Sequence, residues 1–227
     1  MKHGKKWNSI REKVDKTKVY TVVEAIEFLK ANSQVKFDET VEIAINLGID
    51  PKKSDQAVRG SVVLPHGLGK TVRVLAFAVG DKAQEAKDAG AEFVGADDMA
   101  EKITGGWLDF DAVVATPDMM KVVGKLGKIL GTRGLMPNPK VGTVTMDIGK
   151  AIRELKKGKA DFRAEKGGLL HAPLGKLSFD AVKLQENVKA FLDAVGKVKP
   201  PSAKGIFVKK AILTSTMGQG LKISTES

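Results

Sequence analysis

The chain changes its pattern twice, and those two changes constrain its fold more than anything else in it. Between about residues 68 and 159, short apolar runs alternate with helical segments. Residues 71–79, 92–94 and 112–115 predict strands. Residues 81–89, 97–103 and 146–157 predict helices, as does a stretch from Pro117 through about Leu130. Strand, helix and strand in succession make parallel βαβ units, with helices on the faces of a sheet.

On either side of this stretch the pattern is that of hairpins and single amphipathic helices. Residues 21–31 predict a helix with an apolar face from Val22, Ala25, Ile26 and Leu29, and Glu24 follows Thr21 at the spacing of a capping box. Residues 40–49 alternate, with apolar Val41, Ile43, Ile45 and Leu47, and predict a strand. A second strand over 58–64 is expected to break at Gly60. Residues 161–164 lead into a turn at Glu165-Lys166-Gly167-Gly168. An amphipathic helix over 179–195, a linker over 196–204 and closing strands over 205–217 and 221–223 complete the chain. The economical arrangement is an α/β fold of two domains. Residues 1–67 and 160–227 form a discontinuous α+β domain, and 68–159 an inserted Rossmann-like α/β domain.

Charge divides along the same lines. The whole chain carries a net charge of +11. The middle holds 15 basic and 12 acidic residues, and the flanks 23 and 15. The discontinuous domain is therefore the better candidate for a polyanionic partner, most simply nucleic acid. Aromatic residues are only 5% of the chain, which favours recognition of shape and phosphate over stacking as the main mode.

Other classes are excluded or disfavoured. With no cysteine there is no disulfide, thiolate metal site or cysteine nucleophile. His3, His66 and His171 lack metal-ligand spacing, and no cofactor is expected. The basic start, Met1 to Trp7, has no apolar run after it, and no stretch is long enough to span a bilayer, so neither a signal peptide nor a membrane is expected, and a cytosolic location is. Gly67-Leu68-Gly69-Lys70-Thr71 resembles a phosphate-binding loop, but Leu64 stands where that pattern needs glycine and a strand follows, so a turn between domains is expected. Asp109, Asp111 and Asp118 read as turn and capping residues rather than magnesium ligands.

Three segments stand out. Gly131-Thr132-Arg133-Gly134-Leu135-Met136-Pro137-Asn138-Pro139-Lys140 is loop chemistry carrying apolar residues, and it follows Leu130. It is expected to pack against something and to present a fixed basic surface or an interdomain contact. In Lys36-Phe37-Asp38-Glu39-Thr40, Phe37 is either a core anchor or a residue packing on a sugar, and core is the commoner fate. In Thr214-Ser215-Thr216-Met217-Gly218, the hydroxyls suit phosphate or ribose and Gly218 permits close backbone approach, although an ordinary strand end is the plainer reading.

Taken in order, these three segments resemble the bacterial large-subunit ribosomal proteins of the L-one family. Leu47-Gly48-Ile49-Asp50-Pro51, Val58-Arg59-Gly60, Asp109-Phe110-Asp111 and His171-Ala172-Pro173 add to the likeness, which covers nearly the whole chain. Thr132 departs from it, standing where proline is expected, and would relax the loop. The resemblance implies a protein that grips large-subunit ribosomal RNA through its discontinuous domain. It implies help in releasing deacylated tRNA from the exit site and repression of its own operon's mRNA. It also implies a monomer off the ribosome, without a small-molecule substrate. Carried onto this chain, the strongest RNA contacts are Phe37, Thr40, Thr216, Met217 and Gly218. Lys36, Lys53, Arg163, Lys166, Lys176 and Ser178 are weaker candidates. The rivals are an α/β enzyme with a ligand in the middle domain's crevice and a DNA-binding regulator.

Overall fold

A computed structural model describes residues 4–15, 17–51, 53–203 and 205–224. The chain forms two compact units, Met1–Gly69 with Ala160–Ser227, and Lys70–Lys159. Elements are numbered along the whole chain.

In the first unit, strand β1 (Thr40–Leu47) lies between β7 (Leu169–Lys176) and β8 (Val208–Ser215), and β9 (Leu221–Ile223) closes the far edge. Every pairing in this sheet is antiparallel. The alternation seen in the sequence becomes two faces. Val41, Ile43, Ile45 and Leu47 are buried on one, beneath helices α2 (Val22–Asn32) and α8 (Ala181–Lys197). Leu184, Val188, Phe191 and Val195 supply the α8 side of that core at helical spacing. Glu42 and Asn46 of β1 and His171 of β7 point the other way and are exposed. The capping box of α2 forms: the Glu24 N–H donates to Thr21 Oγ1 at 3.3 Å, and the Thr21 N–H donates to Glu24 Oε2 at 2.9 Å.

Strand β2 (Arg59–Val63) runs unbroken through Gly60 and pairs with β6 (Lys159–Arg163). The glycine is a packing requirement rather than a break: a Cβ there would lie 2.8 Å from Cζ of the buried Phe162 ring. The chain also opens with a helix that the pattern does not disclose, α1 (Lys5–Lys13). Its apolar stripe amounts to Trp7 and Ile10, too short a signal in a basic stretch.

The second unit is built on three parallel strands in the order β4-β3-β5, namely β3 (Val74–Phe77), β4 (Phe93–Gly95) and β5 (Ala112–Ala115). Both faces are covered, which explains the continuous apolar runs. Val74, Ala76 and Val114 pack with Ala86 of α3 (Asp81–Asp88) and Ile148 and Ile152 of α7 (Ile148–Lys156). Leu75, Phe77 and Val113 pack with Ile103 of α4 (Asp97–Thr104), Val123 of α5 (Met120–Lys125) and Leu130 of α6 (Gly127–Thr132). The single helix expected between Pro117 and Leu130 is therefore two, parted at Leu126.

The glycine-proline loop begins inside α6, so its first residues are helical. Leu130 is fully buried, and Leu135 and Met136 pack on the same core, so its apolar side chains close their own unit. Thr132 does more than relax the loop: its hydroxyl donates to the carbonyls of Lys128 and Ile129 at 3.1 and 3.0 Å, closing the last turn of α6. Asp111 accepts from Lys70 Nζ at 2.9 Å and from Arg73 Nε at 3.1 Å. Among the described residues no helix is long and apolar enough to cross a membrane.

Candidate nucleic-acid interface

The Thr40 end of the first unit's sheet is organised by a buried carboxylate. Glu39 keeps the odd-numbered parity of Val41, Ile43 and Ile45, so it turns towards the core and is 2% exposed. It accepts from Ser33 Oγ at 2.7 Å, Ser215 Oγ at 3.2 Å and the Met217 N–H at 2.8 Å. A buried carboxylate is tolerable only with such donors. These three bonds tie the end of α2, the end of β8 and the turn that follows β8 to one point.

That turn is pinned a second time. The Thr40 N–H donates to Thr216 Oγ1 at 3.0 Å. Gly218 sits where a Cβ would lie 2.4 Å from Ser215 Oγ, so only glycine fits the close approach. On the other side of β1, Lys176 Nζ donates to Thr40 Oγ1 at 3.0 Å and to the Asp38 carbonyl at 3.3 Å. Ser178 donates twice to Asp38, through its N–H at 3.1 Å and its hydroxyl at 2.8 Å.

Held on this frame are two large apolar side chains turned outwards. Phe37 is 54% exposed and Met217 59%. The core position that phenylalanine usually takes is not the one found here. Unlike its neighbour Glu39, Phe37 precedes the strand, in a bend that does not carry its side chain under the helices.

Eight of the residues singled out from sequence thus gather at one end of the sheet: Lys36, Phe37, Thr40, Lys176, Ser178, Thr216, Met217 and Gly218. Lys53, Arg163 and Lys166 do not join them. Lys166 lies in the turn beside Leu47, whose N–H bonds the Gly168 carbonyl, and Lys53 follows β1 at that same end. Arg163 ends β6, next to the same turn. β1 has 8 residues, so the two groups stand roughly 20 Å or more apart at ~3.3 Å per residue. Between them runs the uncovered face of the sheet, with His171, Lys210 and Lys222 exposed on β7, β8 and β9.

Two residues of the frame escaped sequence reasoning. Glu39 and Ser215 both sit on core-facing parity, Glu39 with Val41 and Ile43, Ser215 with Ala211 and Leu213. A carboxylate and a hydroxyl in that phase, on two strands, was the available signal. A model of the Ribosomal protein L1p/L10e family matches residues 29–219, all of the chain but its ends.

Proposed function

This chain belongs to the Ribosomal protein L1p/L10e family, an RNA-binding component of the large ribosomal subunit, and we propose that it grips ribosomal RNA with the Thr40 end of its four-stranded sheet. The observation that carries the placement is the pairing of outward Phe37 and Met217 with a frame that cannot easily move. Exposed apolar side chains on a rigid edge suit sugars and unstacked bases. Lys36 and Lys176 beside them suit phosphates, which fix register without reading sequence. The uncovered sheet face and the Lys53, Arg163 and Lys166 group extend the same surface electrostatically.

On this reading the protein is a structural RNA binder rather than an enzyme, and a monomer off the ribosome. Its finer roles follow from the motif resemblance: movement of deacylated tRNA out of the exit site, and repression of its own mRNA through an RNA segment that imitates the ribosomal one. Both require that one RNA shape be preferred over others, which a preformed apolar and hydroxyl-bearing edge supports.

The test is equilibrium binding to a transcript of the large-subunit stalk RNA and to random RNA of equal length. Phe37→Ala is expected to lose about tenfold or more for the stalk transcript, in line with the ~1–3 kcal/mol of an aromatic–base contact, with an unchanged melting temperature because the ring is exposed. Wild-type affinity in this variant would move the site elsewhere.

A further inference from the structure

Beside Met217 the first unit contains a cavity of about 280 Å³ that the RNA-gripping edge does not use. Its walls are largely apolar. Trp7 and Ile10 of α1 face Phe28 and Leu29 of α2 across it, and Val35 borders it. Met217 and Gly218 form part of the same wall, so the cavity opens where the proposed RNA edge ends.

One polar atom in this lining is unaccounted for. The side-chain amide nitrogen of Gln219 is buried and has no acceptor, although nearly all buried donors in folded proteins have one. Its neighbours are already engaged. Both Glu39 oxygens accept from Ser33, Ser215 and Met217. Asn32 donates to the Phe28 carbonyl and accepts from Lys13. A single water would answer the Gln219 donor but would leave most of a cavity this size unfilled. The space lies at the small end of ligand pockets, which sets an upper limit on the occupant.

The geometry points to a nucleobase: we propose that one base of the bound RNA is extruded past Met217 into this cavity. A base has flat faces for Trp7 and Phe28, and a carbonyl or ring nitrogen to accept from Gln219. Its sugar and phosphate would stay outside, near Lys36. The proposal rests on the RNA-binding reading of the Met217 edge and adds a second contact of a different kind, a pocket rather than a surface.

The test uses the full chain with Trp107→Phe, which leaves Trp7 as the single tryptophan, and melts confirm that each variant folds. Two changes address the cavity: Val35→Phe fills it, and Gln219→Met removes the donor while keeping the length of the side chain. Each is expected to weaken binding of the stalk transcript about tenfold and leave random RNA unaffected. Trp7 emission is expected to shift when the parent binds the transcript and to stay unchanged in Val35→Phe. If both variants bind like a parent that itself binds the transcript, the cavity proposal is overturned while the ribosomal RNA reading stands, whatever Trp7 does. If the parent does not bind the transcript at all, both fall. Saturable shifts of Trp7 with nucleoside monophosphates, but none with the transcript, would make the occupant a free nucleotide and overturn the extruded base.

Discussion

The two units solve the same problem, covering a sheet, in opposite ways. The parallel sheet of Lys70–Lys159 is buried on both faces, and each strand spends its side chains on packing. The antiparallel sheet of the other unit covers one face only and leaves His171, Lys210 and Lys222 on the other. It also spends a buried carboxylate, Glu39, on holding one end in shape. A fold that covers everything has little left with which to grip a large polyanion. The half-covered one keeps both a surface and a rigid edge, and its residues carry the greater excess of positive charge.

The largest effect that tests this contrast comes from separating the units. Residues 1–69 joined by a short linker to 160–227 are expected to fold and to bind the stalk transcript within about tenfold of the whole chain. Residues 70–159 alone are expected to bind it no better than random RNA. Specific protein–nucleic acid affinities exceed non-specific ones by roughly a thousandfold or more, so the two pieces should differ by at least that. Tight, selective binding by the middle piece would reverse the assignment.

Next in size is the removal of Glu39. Glu39→Ala strands the Ser33 and Ser215 hydroxyls and the Met217 N–H next to a small void. Hydrogen bonds to a charged group contribute about 1.5–3 kcal/mol each, and neighbours lost together are not additive. We expect a loss of about 2–4 kcal/mol in urea melts and a marked loss of stalk affinity. A stable variant that binds normally would mean that the edge needs no buried frame.

This residue also shows where the sequence could and could not be read. The alternation that buries Val41, Ile43 and Ile45 was plain, as was the capping box at Thr21, because each follows from local periodicity. The partners of Glu39 lie 6 residues before it and 176 and 178 after it, and no local pattern joins them. Gly60 was misread for the same reason: what it makes room for, the Phe162 ring, comes a hundred residues later in the chain. Phe37 was legible as unusual but not as exposed, since its position depends on where β1 begins. Helix α1 was missed because its few apolar residues meet a surface built from other parts of the chain.

Smaller effects separate site from scaffold along the same edge. Thr216 Oγ1 accepts the Thr40 N–H, so Thr216→Val removes a structural bond as well as a hydroxyl that RNA could use. The expected cost is about 1 kcal/mol in stability, with a larger proportional loss for the stalk transcript than for random RNA. Lys210→Ala, on the uncovered face, should instead weaken both RNAs alike and lower the salt slope by about one, as a phosphate contact does. Equal losses from both changes would erase the distinction between edge and face.

The smallest effect belongs to the other unit and should leave RNA binding untouched. The Asp111 carboxyl is held down to about 2, chiefly by the hydrogen bond from Lys70, with Arg73 adding its backbone and side-chain donors against the opposing effect of burial. An unfolded aspartate titrates near ~3.9. The folded value is the lower one, so the contribution to stability is fully present above about pH 4 and disappears as the pH falls through about 2. Lys70 and Arg73 are 63% and 47% exposed, and solvent screening leaves such pairs worth about 0.5–1 kcal/mol. Asp111→Asn should therefore lower the stability of residues 70–159 by about that much at pH 7, with the gap to the parent closing between pH 4 and pH 2. Urea melts across that range measure it. A gap that does not change with pH would show that the aspartate acts through packing, and a loss of stalk affinity would show that the covered unit takes part in the grip after all.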